Sequence, residues 1–410
     1  MNIRFFAPDT DAYVSSVLTH LAEFEAQTGH RVIPQIISSD EYFSNDIHRY
    51  LQGPDAADVY MSGPVLLWEH LKDGFVEPLD GYLGGASAEF RFGDFFDTLL
   101  RANRWTGHFG DRLGSGPLLA LPVNCESYNL VYLPEELRRL GLEVPQNWND
   151  YFAVAKKIAA TSSAGVRGFG QRGVDIWHTM YTGYATQFWS YGATDFDASG
   201  RCVIDSAAGI HATEDFIDAL RVGGPPDWTN QRWYELALDA ARGQYGLLVD
   251  SDHYVAFFED PKFSTRVGTL GYALPPAGPT GERTPNQWTW SLVMNAKSKQ
   301  KAAAWEFLEW AAGAPFLLRS AFEGNMNPTR ASVWDSAEFK TLTKAWGNFV
   351  PVSRELAQVR GKVLVTPARN YRRVAARWTE ALREAYLGTD TVAGALHRAA
   401  HDIDSLVDRG

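Results

Sequence analysis

Carboxylates at the ends of strand-like runs are the first residues in this chain that could do chemistry. Asp9 follows NIRFFAP, Asp40 and Glu41 follow RVIPQII, and Asp250, Asp252 and His253 follow YGLLV. A carboxylate can accept hydrogen bonds from two neighbouring hydroxyls at once, each charge-assisted bond contributing roughly 1.5–3 kcal/mol. These residues therefore suit the holding of a hydroxyl-rich small molecule. Each also has a plainer use: Asp40 and Glu41 can cap a helix or offset its dipole, and His253 can be a satisfied turn histidine. An Asp-x-Asp-His run also raises the question of a metal. No second ligand cluster accompanies it, so neither a metal nor a cofactor is expected.

Aromatic side chains supply the complementary surface. The sequence holds 14 Trp, 17 Tyr and 23 Phe, more than core packing alone asks for, and broad planar faces suit the apolar sides of sugar rings. Trp288 and Trp290 sit in the extended run QWTWSLVMN, where alternation points both to one side; one suits a stacking platform and the other packing against a hinge. Trp177 and Tyr181 share a helical face and could cover a solute, although such a stripe also serves a core. Glu126 lies in the long run LLALPVNCESYNLVYL, and Ser62 and Gly63 directly follow DVYM, where open α/β sheets place ligands. An exposed strand glutamate and an ordinary turn are the respective alternatives. Arg369, beside Pro367, could reach an acidic group on a ligand or form a surface salt bridge.

Composition narrows the classes. A chain of 410 residues is long enough for two cores, since single cores stop growing near roughly 250–300 residues. No apolar stretch approaches the roughly 20 residues of a membrane span. The net charge of -11 and the absence of Lys/Arg clusters disfavour nucleic acid as a partner. Cys125 and Cys202 are too few and too far apart for a disulfide framework or a metal-ligand spacing, and two unpaired thiols are expected, with one bridge between them as the alternative. MNIRFF enters a strand at once with no secretory leader ahead of it, so either the chain is cytoplasmic or a leader has been removed.

The elements that must position these residues alternate. A strand over 3–6 is followed by a helix with Tyr13, Val17, Leu21 and Phe24 on one face, ended by Gly29. RVIPQII is a strand whose proline argues for an edge or a bulge. Ser39 caps a helix carrying Phe43, Ile47 and Leu51, and DVYM is a third strand. This is the pattern of an α/β lobe with a mainly parallel sheet. The Gly-rich segment 107–117 leads into a long extended run that reads as a crossing between lobes, and PPAGPTGERTP precedes a return crossing. NWNDYFAVAKKIAA is a capped amphipathic helix, and 176–191 is apolar all round, as a buried helix should be. Beyond the return crossing the chain is helical to its end.

Several segments resemble, in order, the extracellular solute-binding proteins of carbohydrate ABC importers, the group that includes maltose-binding protein. They are HLAEFEAQTGHRVIPQ, GPDAADVYMSGPVLLWEHLKDGFVEPLDGYL, LPVNCESYNLVYLPEELRRLGLEVPQNWNDYFAVAKKI, FWSYGA, ARGQYGLLVD, GYALPPAGPTG, WSLVMNAKSKQKAAAWEFLEWAAG and GTDTVAGALHRAAHDI. The polar turn after the first strand and the tryptophan-bearing return resemble the sugar and alditol binders of that group. The resemblance implies two α/β lobes with a helical C-terminus, a sugar or polyol in the cleft, and hinge closure on binding. It implies ABC permease subunits as partners, a monomer, and a periplasmic or extracellular membrane-associated location. It places Glu126 and the turn of Asp250, Asp252 and His253 at the ligand. The lobes are expected at 1–122 plus 288–330 and at 123–287 plus 331–410.

The competing class is a carbohydrate-active enzyme, which also needs aromatics and paired carboxylates in a cleft. The order of elements does not make a barrel, and no G-x-S-x-G, H-E-x-x-H or phosphate loop is present, so a non-enzyme is expected. A solute sensor on the same fold is a third reading.

Overall fold

The computed structural model describes every residue except 10, 11, 45, 46, 163, 164 and 175, and every side chain of the rest except those of 44, 180 and 181. Its strands are β1 (Asn2–Pro8), β2 (Arg31–Ile37), β3 (Val59–Ser62), β4 (Leu121–Tyr132), β5 (Arg167–Gly170), β6 (Tyr245–Ser251), β7 (Gly271–Ala273) and β8 (Gln287–Met294). They form one mixed sheet in the order β2-β1-β3-β8-β4-β6-β5, with β7 on β4.

The first half of the sheet follows from its sequence. β1 is apolar and pairs in parallel with both β2 and β3. β2 lies at the edge, where Pro34 opposite Phe5 need not supply an N–H to a further strand. The helix Ala12–Thr28 buries Tyr13, Val17 and Phe24, leaves Leu21 partly buried, and stops at Gly29, whose φ of 69° suits a residue without a Cβ. The single helix expected after Ser39 is instead an α-turn, Ser39–Ser44, and a 3-10 turn, Ile47–Tyr50. Ile47 and Leu51 enter the core, whereas Phe43 stays half-buried against Trp177 and Trp290. One straight helix would have kept all three on a common stripe.

Two long antiparallel strands join the halves. β4 pairs with β8 over 121–127 and with β6 over 128–132, while β8 also pairs with β3 through 291–294. A third connection was not evident from periodicity: Asn325, Asn327 and Thr329 run beside β4. Asn325 Nδ2 donates to Val123 O (3.3 Å), Cys125 N to Asn327 O (3.3 Å), and Thr329 Oγ1 to Pro122 O (2.8 Å). Cys125 and Cys202 are both buried free thiols.

The second half is built on β4, β6, β5 and β7. The helix Trp148–Thr161 is capped by Asn147, whose side chain accepts the Asp150 N–H at 2.9 Å. The stretch expected as one buried helix is largely buried in its described side chains but broken at Thr182 into a 3-10 turn, Trp177–Tyr181, and a helix, Gly183–Ser190. The break lets the helix start directly on β6, where only a glycine fits. The two C-terminal helices, Tyr371–Leu387 and Val392–Leu406, pack on each other, and Trp378 fills the space beside Tyr184 and Phe188.

A methyl group at Gly183 would lie 2.3 Å from the Val249 carbonyl oxygen. Because that atom is backbone, Gly183→Ala should destabilise the chain by about 1–3 kcal/mol, the usual cost of overpacking. Urea unfolding of the variant beside wild type measures it.

Candidate functional site

The pairing of β4 with β8 fixes which side chains face the cleft. Asn124 lies opposite Trp290 and Glu126 opposite Trp288, so all four occupy one face, with Cys125 and Thr289 on the other. Glu126 and Trp290 are diagonal neighbours, and the Trp290 indole N–H donates to Glu126 Oε1 at 3.0 Å. Trp288 and Trp290 meet edge to face at 5.6 Å. Trp288 lies against Gly63, whose missing Cβ would be 2.1 Å from its ring. Trp290 thus reaches Glu126, while Trp288 packs on Gly63.

Glu126 and Trp290 form the floor of a cavity of about 150 Å³. Ser39 and Phe43 come to it from the first half of the sheet; Arg172, His178, Trp233, His253, Tyr254 and Phe257 come from the second. Arg172 follows β5, and its guanidinium grips both oxygens of Asp250, which is fully buried at the end of β6. Each partner compensates the other, since a buried charge left alone would cost several kcal/mol. Arg172 also sits over the rings of Tyr128 and Tyr254. Burial, with the Arg172 and Arg232 charges, pushes the His178 imidazole down to about 3, so it is neutral at ordinary pH. Burial holds the Tyr254 phenol as a neutral O–H.

Three polar atoms of this lining are buried without a protein partner among the described residues: the Tyr254 hydroxyl and Nδ1 of His178 and of His253. An unsatisfied buried group costs about 1–3 kcal/mol. Together with the Glu126 carboxylate they give this cavity donors and acceptors beside the Trp290, Phe43 and Trp233 side chains. The arrangement suits a molecule with several hydroxyls and a small apolar backbone.

Of the residues expected at a ligand, Glu126, His253 and Trp290 line this cavity. Asp9 lies instead at a wider mouth of about 440 Å³, where Asp40 and Arg232 also sit, and its Oδ1 accepts the Ser39 N–H at 3.0 Å. Glu41 turns to Arg49 and to the Tyr50 hydroxyl, away from the cavity. Ser62 is buried in the sheet behind it. Asp250 is consumed by Arg172, and Asp252 is buried at the strand crossing, where its Oδ1 accepts the N–H of Ser127 (2.8 Å) and the Asn327 amide. Trp177 packs on Phe43 and donates its indole N–H to the Phe43 carbonyl at 3.2 Å. The Tyr181 side chain lies outside the described residues. Arg369 forms the salt bridge foreseen as an alternative, with Asp73 at 2.5 Å.

Sequence reasoning missed Phe43, Arg172, His178, Trp233, Tyr254 and Phe257. Tyr254 adjoins a turn already singled out, and His178 follows Trp177. Arg172 was a charged residue just past a strand of small and aromatic residues. Phe43 was hidden by its place on an apolar helical stripe.

A larger void, of about 740 Å³, lies on the far side of Phe43 and Trp177. His48, Glu69 and Asp73 there bring ligand-type atoms within 4.8 Å of one another. Both carboxylates are already engaged, Glu69 by Arg372 and Asp73 by Arg369 and by His48 at 3.1 Å. That cluster reads as an ion-pair network between the helix Pro64–Lys72 and the C-terminal segment. The smaller cavity is the better candidate because its polar atoms are the ones lacking partners.

The family described as bacterial extracellular solute-binding protein matches residues 7–315. The erythritol/L-threitol-binding protein of Mycolicibacterium smegmatis is 29% identical over 387 residues, covering 92% of this chain and 80% of the relative. An ABC transporter solute-binding protein of Agrobacterium radiobacter, solved in complex with ribitol, superposes with a TM-score of 0.83 at 18% identity, over 99% of this chain and 98% of the other. One from Agrobacterium vitis with bound D-mannitol gives a TM-score of 0.82 at 20% identity, over 99% and 98%. The fold is therefore the two-lobe architecture expected from the alternating elements.

Asp252 offers a test of the crossing. Burial, aided by the Glu126 charge and opposed by its hydrogen bonds, pushes its carboxyl from 3.8 up to about 8. Between those values the native state holds a proton that the unfolded chain has released, so stability falls as pH rises through this window. In Asp252→Asn the amide keeps the acceptor for Ser127 without an ionisable proton. The melting temperature of wild type should drop more between pH 5 and pH 8.5 than that of the variant; parallel profiles would show that Asp252 is already ionised in the fold.

Proposed function

The chain belongs to the bacterial extracellular solute-binding proteins, and from that premise we propose that it captures a sugar or polyol between two lobes and delivers it to the permease subunits of an ABC importer. The lobes in this reading are residues 1–122 with 288–330 and residues 123–287 with 331–410. The register shift between Pro122 and Asn124 falls at the first of these boundaries. The observation that carries the proposal is the convergence, on one small cavity, of Phe43 from one lobe, His178, His253 and Tyr254 from the other, and Glu126 and Trp290 from the crossing strands.

Size supports a small solute. At about 150 Å³ the cavity is below the roughly 300–1,000 Å³ of drug-sized sites, which suits an alditol or a single sugar ring better than an oligosaccharide. The Mycolicibacterium smegmatis relative and the two Agrobacterium structures point the same way, since their names and bound ligands are erythritol, L-threitol, ribitol and D-mannitol. Capture rather than turnover is supported by the lining, in which Glu126 is the sole carboxylate among the described residues, whereas glycoside hydrolysis generally uses a pair. The family name supports action outside the cytoplasmic membrane, in the periplasm or at the cell surface, where the chain would work as a monomer. Among the described residues no helix is long and apolar enough to cross a membrane.

The mechanism is closure. Open and closed states of such a protein differ by a few kcal/mol, and a solute that hydrogen-bonds both lobes favours the closed one. Affinity should be micromolar or tighter, about -8 kcal/mol or stronger.

A thermal-shift screen against alditols, monosaccharides, disaccharides, sugar acids and amino acids should give its largest stabilisation with an alditol or a monosaccharide. A shift confined to amino acids would overturn the reading. With the best solute, Glu126→Ala should weaken binding by roughly 10- to 100-fold, whereas Arg369→Ala, which removes a half-exposed ion pair, should cost no more than about fivefold. Isothermal titration calorimetry checks both, and equal losses would count against the cavity as the site.

A further inference from the structure

The cavity carries one charge that the protein does not balance. Glu126 receives the Trp290 indole N–H, and among the described residues no cation pairs with its carboxylate. The other charges nearby cancel. Arg172 is held on both oxygens of Asp250, in a pair that is buried on both sides. His178 is neutral, and Asp252, bonded to the N–H of the residue after Glu126, keeps its proton near neutral pH. The mouth adds charge of the same sign: Asp9, Asp40 and Glu235 line it with Arg232 as their cationic companion, and Arg232 is spent on Asp40 at 2.9 Å. A solute entering this cleft crosses a negative rim and stops against a lone carboxylate in a site walled by aromatic rings.

We infer that the cleft selects by charge as well as by hydroxyl count: it takes neutral hydroxylated solutes and those bearing a single protonated amine, such as amino-alditols and amino sugars, and rejects those bearing a carboxylate or phosphate. Glu126 accepts a hydroxyl from a neutral solute and pairs with the ammonium of a cationic one. Against an anion it is a like charge in a poorly solvated wall, where repulsion is screened far less than in water. Arg172 does not rescue the anion, because swinging its guanidinium to a ligand would strand Asp250 as a buried unpaired charge. This inference rests on the proposed hydroxyl-binding site and adds a rule about which hydroxylated solutes enter it.

The test is a matched series in calorimetry: D-glucitol, its aldonate D-gluconate, and its amine 1-amino-1-deoxy-D-glucitol, or the corresponding trio for whichever alditol binds best. Wild type should bind the aldonate at least about 10- to 100-fold more weakly than the alditol, the worth of one charge-assisted hydrogen bond, and should bind the amine at least as tightly as the alditol. Glu126→Gln keeps the acceptor for Trp290. In that variant the aldonate penalty should shrink to less than about fivefold and the amine should lose its advantage. Raising the salt concentration should narrow the wild-type gap in the same direction, through screening of the exposed rim. Equal binding of alditol and aldonate by wild type would overturn the charge rule while leaving hydroxyl capture intact. Binding of the aldonate alone, with no neutral solute bound, would overturn both. The wild-type series decides the matter even if the variant does not fold.

Discussion

The antiparallel register of β4 against β8 is the constraint from which the rest of the molecule hangs. Because Glu126 lies opposite Trp288 and Asn124 opposite Trp290, alternation alone sends a carboxylate and two indoles to one face of the strands that join the halves of the sheet. A slip of one residue would turn Glu126 into the core and Cys125 toward the cleft. The register is pinned where it matters. Asp252 takes the Ser127 N–H and the Asn327 amide, Asn325 and Thr329 reach carbonyls of β4, and Trp288 settles on Gly63. Floor and hinge of the proposed site are thus the same few residues, so a solute resting on Glu126 and Trp290 touches the elements about which the lobes would move.

The contacts that span the cleft differ in what they can contribute. Arg232 with Asp40 is solvent-exposed, and such pairs are worth about 0–1 kcal/mol. Arg372 with Glu69 is better shielded, and Phe43 against Trp177 and His178 buries aromatic surface. Opposing these is the cost of sealing the Tyr254 hydroxyl and two imidazole nitrogens away from water without partners. Closure without solute is therefore partly self-defeating. In the proposed site, a solute whose hydroxyls pair those atoms would convert the penalty into a gain and make ligand selectivity and closure a single event.

Much of this was legible in the sequence, and the exceptions have physical reasons. Strand ends marked loops that line the candidate cavity, Pro34 marked an edge, Gly29 marked a helix end, and the spacing of Trp288 and Trp290 marked a shared face. What local pattern does not encode is the direction in which a loop turns its side chains. Asp250 and Asp252 look alike in sequence, yet one is taken by Arg172, 78 residues away, and the other by a connection from the far side of the chain. Glu41 was lost to Arg49 and Tyr50 for the same reason. Phe43 escaped because an aromatic on a helical stripe reads as core until tertiary packing brings it to a cavity. The third crossing at Asn325 to Thr329 has neither helical nor strand periodicity to announce it.

The central claim is that one solute is gripped from both lobes and from the crossing strands at once. Hydrogen–deuterium exchange of the chain with and without a saturating alditol tests it directly, because backbone protection reports local opening segment by segment. The account predicts that the solute slows exchange together around Phe43, around 171–178, around 252–257, and in the stretches of β4 and β8 that hold Glu126 and Trp290. Protection confined to one lobe, or absent from the crossing strands while calorimetry shows binding, would contradict it.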